Sequence, residues 1–440
     1  MSNTSDIVND AAATTGTRRT TLAADASPQS AAEYVRAALK RMRGGDLGPL
    51  PIIFGLVLIV IIFQSLNDKF LTPHNFVNLI VQMAGVTAIA YGVVFVLLLG
   101  EIDLSVGYVS AVVGVSLVVM LRPGSVDSPT MFVWYTALPI ALLIGAAIGI
   151  LHGLIITTFQ VPSFVVTLAG LLAWNGVVLA VIGEGGTLIL QDQTILGVAN
   201  SYLPPEWGWI AAVAVVAWFS IGTYLRTRAR RKKGLHTTPI SVTVVQVVAF
   251  AFVILFAVYV VNQDIVCHTV SDQNVCVQRG VPVVGVILLL LLVSLTFLTE
   301  RTRFGRYIYA IGGNKEAARR AGIKVERTRV LVFMLSSLLA GVGGVILASR
   351  LRSVDTNAGG GQLLLNSIAS AVFGGASLFG GRGKISNALL GALVIASVEN
   401  GMGLLNISDA AQFIVTGLVL LAAVIVDALS RRRLAQSGVA

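Results

Sequence analysis

Charge is scarce in this chain. Asp, Glu, Lys and Arg make up only 12% of its 440 residues, against 55% hydrophobic ones, where soluble domains carry roughly twice that charge. No water-soluble core buries so much apolar surface, and a mean hydropathy of +0.85 points to lipid as the solvent. Cysteine is scarcer still: Cys267 and Cys276 share one polar loop. With four histidines and no zinc-like spacing, no metal site is expected. A nucleotide-binding loop is also missing. The nearest stretch, GGRGKIS (Gly380–Ser386), has Ile385 where a P-loop needs Ser or Thr to reach magnesium. It reads as a cytoplasmic turn carrying Arg382 and Lys384. The chain is therefore not expected to be an enzyme, and any ATP hydrolysis belongs to a partner. Met1–Gly48 is polar and lacks an apolar core ahead of a cleavage site, which excludes a signal peptide. Within it, Tyr34, Val35, Ala38, Leu39 and Met42 share one helical face. An interfacial helix and a disordered tail are equal expectations there.

What the chain has is long apolar runs. A helical span needs about 20 apolar residues. Twelve segments qualify: Leu50–Leu66, Phe76–Leu99, Leu104–Leu121, Trp134–Phe159, Pro162–Ile182, Gly208–Leu225, Ile240–Val261, Pro282–Thr299, Val330–Ser349, Leu363–Gly380, Ile385–Glu399 and Ala410–Leu429. The fold class is thus all-α, a polytopic helical membrane protein with both termini cytoplasmic. A cytoplasmic tail (1–48) precedes a transmembrane domain (49–430), and a second cytoplasmic tail follows (431–440). In this orientation about 26 of the 31 lysines and arginines fall on the cytoplasmic side. The formal net charge of +10 is then topology, and no nucleic acid is expected as a partner. The same scheme places Cys267 and Cys276 outside, where a disulfide between them is expected.

Several polar phrases stand out against this background. GEIDLSVG (Gly100–Gly107) offers Glu101 and Asp103, the latter as a helix cap or both as a gate. VPSFVVTLAGLLAWNG (Val161–Gly176) offers Ser163, Thr167, Trp174 and Asn175. An aromatic face beside an amide suits a sugar ring, and back-bonding to their own helix is the plain alternative for Ser163 and Thr167. Asn366, Ser370, Glu399 and Asn400 are polar groups within spans, where such residues mark a substrate path or interhelical hydrogen bonds. The longest cytoplasmic connection, residues 300–329, contains GGNKEAARRAG, whose alanines favour a short helix among charges.

That stretch, with Glu316-Ala317-Ala318 and then Gly322 after three residues, resembles the EAA-x-x-x-G signature of bacterial ATP-binding-cassette importer permeases. GEIDLSVG, VPSFVVTLAG, RFGRYIYAIGGNKEAARRAGI (Arg303–Ile323) and the run Ala369–Asn400 resemble the ribose/xylose-type sugar branch, in that order, over most of Phe76–Leu429. The Leu-Pro that closes the wider signature is absent from Val330–Leu335. The resemblance implies a ten-helix permease core plus an extra hairpin at about 200–281, as in xylose permeases. It implies a homodimer in the bacterial cytoplasmic (inner) membrane, a cytoplasmic ABC ATPase that holds ATP and magnesium, and an extracytoplasmic sugar-binding protein that largely sets the sugar. No cofactor is bound by this chain in that scheme. Asn314, Lys315, Glu316, Ala317, Ala318, Arg319, Arg320 and Gly322 would form the coupling helix. The substrate would be a monosaccharide, D-xylose or another pentose. The rival reading is a proton-coupled secondary sugar transporter. Against it stands the loop GEIDLSVG, which lacks the basic residues such carriers hold between spans two and three.

Overall fold

The computed structural model describes residues 50–122, 132–234, 237, 239–270, 273–408, 410–418, 421 and 425. The tail at 1–48 with its amphipathic stretch and the tail at 431–440 lie outside the described residues, and so does most of the last expected span beyond 418.

Lipid offers a backbone no hydrogen-bonding partner, so apolar runs close their own bonds as helices. In chain order these are α1 (Leu50–Leu66), α2 (Pro73–Leu98), α3 (Val106–Leu121), α4 (Trp134–Thr158), α5 (Ser163–Ile182), α6 (Gln193–Asn200), α7 (Pro205–Lys232), α8 (Ile240–Val261), α9 (Val283–Arg301), α10 (Arg303–Gly313), α11 (Lys315–Arg320), α12 (Val325–Leu351), α13 (Gly361–Phe373) and α14 (Ile385–Leu404). Residues 410–418 are also helical. Among the described residues, α2, α4, α5, α7, α8, α9, α12 and α14 are long and apolar enough to cross a membrane, and α1, α3 and α13 are shorter apolar helices. The polytopic helical architecture is the one the composition predicts. α13 stops before the expected Gly380, because Gly375 at φ +78° turns the chain into a loop.

Two small antiparallel sheets accompany the helices. β1 (Thr187–Ile189) pairs with β4 (Ser353–Asp355), and β2 (Ile265–Val270) pairs with β3 (Gln273–Gln278), with Cys267 directly opposite Cys276.

The centre of the bundle is α12, packed against α2, α3 and α4. Tyr91, Phe95, Phe333 and Ile346 are fully buried there. Glycine permits the close approach: a Cβ on Gly149 would stand 2.3 Å from the Phe333 carbonyl oxygen, and one on Gly344 2.0 Å from that of Ser110. Small residues let helix backbones approach this closely where no hydrophobic effect drives them together.

α7 and α8 form a hairpin. Residues Ala214–Val253 make a compact unit of their own, in which Phe219 and Phe250 stack at 4.2 Å. At the hairpin's base the chain leaves and returns side by side. Leu203 N–H donates to Val281 O at 2.8 Å, Val283 N–H donates to Ser201 O at 3.0 Å, and Tyr202 pairs with Pro282.

The main bundle has two contrasting ends. One gathers residues 99–105, 300–325 and 374–384, as the bonds from Gly381 N–H to Leu98 O (2.9 Å) and from Tyr309 Oη–H to Gly383 O (2.8 Å) attest. It carries the long basic connection and is called the basic end here. The opposite end gathers residues 67–72, 350–363 and 399–412, with Asn67 Nδ2–H donating to Leu404 O at 3.0 Å.

Candidate functional site

The opposite end opens into a cavity of about 810 Å³. Small-molecule sites run from roughly 300 to 1,000 Å³, so the space suits a small ligand. Amides dominate its polar lining. Asn75, Asn78 and Gln82 come from α2, Gln362 and Asn366 from α13, and Asn400 from α14. α2 places its three as one stripe, because residues three and seven apart share a helical face. Its start is fixed by Thr72, whose side chain accepts from Asn75 N–H, and by Pro73 in the first turn.

The amides are locked together. Asn75 and Asn400 exchange reciprocal hydrogen bonds at 2.8 and 2.9 Å, and Asn400 Nδ2–H also donates to Gln82 Oε1 at 3.2 Å. Beside them, Glu399 Oε1 accepts from Gln362 Nε2–H at 3.1 Å and from Asn366 Nδ2–H. Arg350, at the end of α12, lines the same cavity.

At the basic end the arrangement is tight and buried. Glu101 Oε1 and Arg329 pair at 2.5 Å with side chains only 13% and 7% exposed. Glu101 Oε2 and Arg329 Nε are buried without hydrogen-bond partners among the described residues. Asp103 is buried: its Oδ1 accepts from Ser105 N–H (3.0 Å) and Ser105 Oγ–H (2.6 Å), and its Oδ2 from Ser336 Oγ–H (3.2 Å). Ser105 Oγ also lies 3.3 Å from His152 Nδ1, and Trp174 Nε1–H donates to His152 Nε2 at 3.1 Å. With that nitrogen an acceptor, the neutral imidazole carries its proton on Nδ1. Arg329 and Ser336 stand seven apart on α12, so one helix face grips GEIDLS twice.

Just before α12 lies the polar stretch. Asn314 caps α11, its Oδ1 accepting from Ala317 N–H at 2.9 Å. Gly322 ends it at φ +81°, with its own N–H donating to Arg319 O and that of Ile323 to Ala318 O. A left-handed residue is needed at such a stop, which glycine adopts without steric cost. Ala318 is buried against the body, and Glu316, Ala317, Arg319 and Arg320 face outward. Arg319 bridges Glu316 (3.2 Å) and Glu326 (2.7 Å), and the Glu326 bond holds its guanidinium above the usual arginine pKa. Arg320 makes no hydrogen bond or ion pair among the described residues.

The residues singled out in the sequence thus fall into separate places. Asn366, Glu399 and Asn400 line the cavity, and Ser370 is buried one turn below, its Oγ–H bonded to Asn366 O. The α5 residues lie elsewhere. Ser163 Oγ accepts from Ile102 N–H (3.3 Å) and Thr167 Oγ1–H donates to Ile102 O (3.3 Å), which braces GEIDLS from the side. Trp174 serves His152, and Asn175 is half-buried on the same helix. Arg382 and Lys384 are exposed in the loop that returns to α14. Asn75, Asn78, Arg350, Gln362 and Arg329 were not singled out for any role. The α2 stripe was readable as polar residues at helical spacing, whereas Arg329 is one of many arginines in its connection.

A bundle of membrane-spanning helices around a polar cavity, with a capped polar helix at the opposite end, defines a transport permease. The comparisons with known proteins make the class specific. Residues 75–424 match the family model described as branched-chain amino acid transport system / permease component. The chain is 36% identical to the xylose transport system permease protein XylH of Escherichia coli (strain K12), over 87% of this chain and 92% of that one. It is 32% identical to XylH of Haemophilus influenzae over 90% and 100%, and 34% identical to the ribose import permease protein RbsC of Bacillus subtilis (strain 168) over 87% and 92%. No solved structure matches it. The chain belongs to this permease family and, within it, to the ribose/xylose-type ABC transporter permeases. It is a multi-pass protein of the bacterial inner membrane and a transport subunit, not an enzyme.

Proposed function

We propose that the protein conducts a monosaccharide, D-xylose or another pentose, into the cell, driven by an ATPase docked at its basic end. The cavity carries this reading. A sugar hydroxyl both donates and accepts, and an amide offers both functions at a fixed spacing, so a wall of Asn75, Asn78, Gln82, Gln362, Asn366 and Asn400 matches such a ligand. The relatives are named for xylose and ribose, which supports the same class.

In this reading the cavity faces outward and receives sugar from a binding protein. The basic end faces the cytoplasm, and a second copy of the chain completes the path. α11 is the docking helix, the whole connection 300–329 being the coupling loop. A shift of α11 is passed through Gly322 to α12, which holds Glu101 through Arg329 and Asp103 through Ser336. The buried Glu101–Arg329 pair then acts as the closed inner gate. ATP and magnesium reside on the partner.

Uptake of labelled D-xylose, D-ribose and L-leucine, measured in cells with and without the gene, tests the reading. Loss of pentose uptake alone, sensitive to ATP depletion, is the expected result. Loss of leucine uptake alone would replace the sugar with an amino acid. Pentose uptake abolished by a protonophore while ATP is held constant would favour a proton-coupled carrier.

A further inference from the structure

The amide wall accounts for a polar path, yet three charged residues line it too: Asp355, whose Oδ1 accepts from Asn357 N–H, and Glu399 and Arg350. Both hydrogen bonds to Glu399, from Gln362 and Asn366, reach Oε1, and Oε2 makes none among the described residues. Arg350 lines the same cavity and makes neither a hydrogen bond nor an ion pair among the described residues. Asn366 Oδ1 is buried beside them without a hydrogen-bond partner among the described residues. Charged groups within a membrane-spanning bundle are costly and are normally paired or functional. Here a carboxylate is aimed by two amides, and its second oxygen is left over.

We propose that Glu399 and Arg350 form a hydroxyl-binding subsite that makes this permease select neutral polyols over anionic ones by itself, downstream of any binding protein. The inference rests on the sugar reading above. A sugar hydroxyl donates to Glu399 Oε2, and a neighbouring one accepts from the Arg350 guanidinium. With Asp355, the charged lining sums to one net negative charge, which disfavours a carboxylate or phosphate on the ligand. Gln362 and Asn366 are positioning residues, holding the carboxylate through its other oxygen.

Saturation-transfer NMR on the full-length permease in lipid nanodiscs reads weak binding directly, with D-xylose, D-ribose and D-glucuronate as probes. Wild type should bind the favoured pentose and not glucuronate. Glu399→Gln should weaken pentose binding about tenfold, as expected for losing a charge-assisted hydrogen bond, and should admit glucuronate. Arg350→Gln breaks no hydrogen bond or ion pair among the described residues and should weaken the pentose alone. An unchanged unfolding midpoint in each variant keeps these losses local. Pentose binding equal to wild type in both variants, or no pentose binding by wild type, would overturn the subsite. Pentose uptake by cells carrying the whole transport system decides the sugar reading separately. Uptake that persists without pentose binding in nanodiscs sinks the subsite alone, whereas absent uptake in wild type sinks the sugar reading as well.

Discussion

The two ends of this bundle solve opposite problems with similar residue types. At one end polar groups line an open cavity and bond mainly to each other through neutral amides. At the other, Glu101, Arg329, Asp103, Ser105, His152 and Ser336 are packed until almost no side chain is exposed. An amide can exchange its partner for a ligand hydroxyl at little cost. A buried ion pair cannot, since breaking it strands a charge. The cavity end is therefore suited to exchange, and the basic end to holding one arrangement firmly.

Four experiments test how far that contrast reaches. Arg329→Ala should have the largest effect, stripping the buried Glu101 of its partner at a cost of about 3–5 kcal/mol. A thermal melt of the detergent-purified protein reads it, and the double variant with Glu101→Ala should recover much of the loss. If the single variant melts like wild type, the basic end is not a clamp. Next, Gly344→Leu forces a side chain into the Ser110 carbonyl and should destabilise by about 1–3 kcal/mol, measured in the same melt. At the polar helix, Glu316→Lys and Gly322→Val should leave insertion intact while lowering ATPase co-purification and uptake. The Gly322 change adds strain of about 1–2 kcal/mol, because valine disfavours a positive φ. Wild-type uptake in both would detach α11 from coupling. Smallest is the effect of Cys267→Ser. The register sets Cys267 opposite Cys276, and directly opposed Cα atoms lie about 4.5–5.5 Å apart, within disulfide reach. Maleimide labelling of Cys276 should appear only after reduction in the native chain, and without reduction in the variant. Transport should barely change.

The spans were legible because lipid makes a simple demand on sequence. Apolar runs of the right length become helices, and α1 and α8 begin and end where their runs do. The stop at Gly322 was legible as a signature, and its positive φ supplies the reason. The cavity was harder to read. Asn75, Arg350, Gln362 and Glu399 are scattered over most of the chain, and only the packing of α2, α12, α13 and α14 gathers them. The polar residues of α5 have local partners: Thr167 Oγ1–H bonds back to Ser163 O at 3.0 Å, the plain alternative read from the sequence. Ser163 and Thr167 also hold Ile102, a backbone segment that sequence could not set beside them. Strands as short as β1 and β4 exist because of their pairing, and three residues carry no periodic signal.

The base of the α7–α8 hairpin carries a practical meaning. Ser201 and Val283 are one hydrogen bond apart, with Tyr202 and Pro282 paired between them. A loop whose two stems touch can be cut out and rejoined with a minimal splice, and chains tolerate domain exchange best at such points. The protein thus has a natural cassette boundary. None of residues 202–282 lines the cavity, so a shorter permease spliced there would keep its lining and lose the contact of Asp264 with His74 at the start of α2.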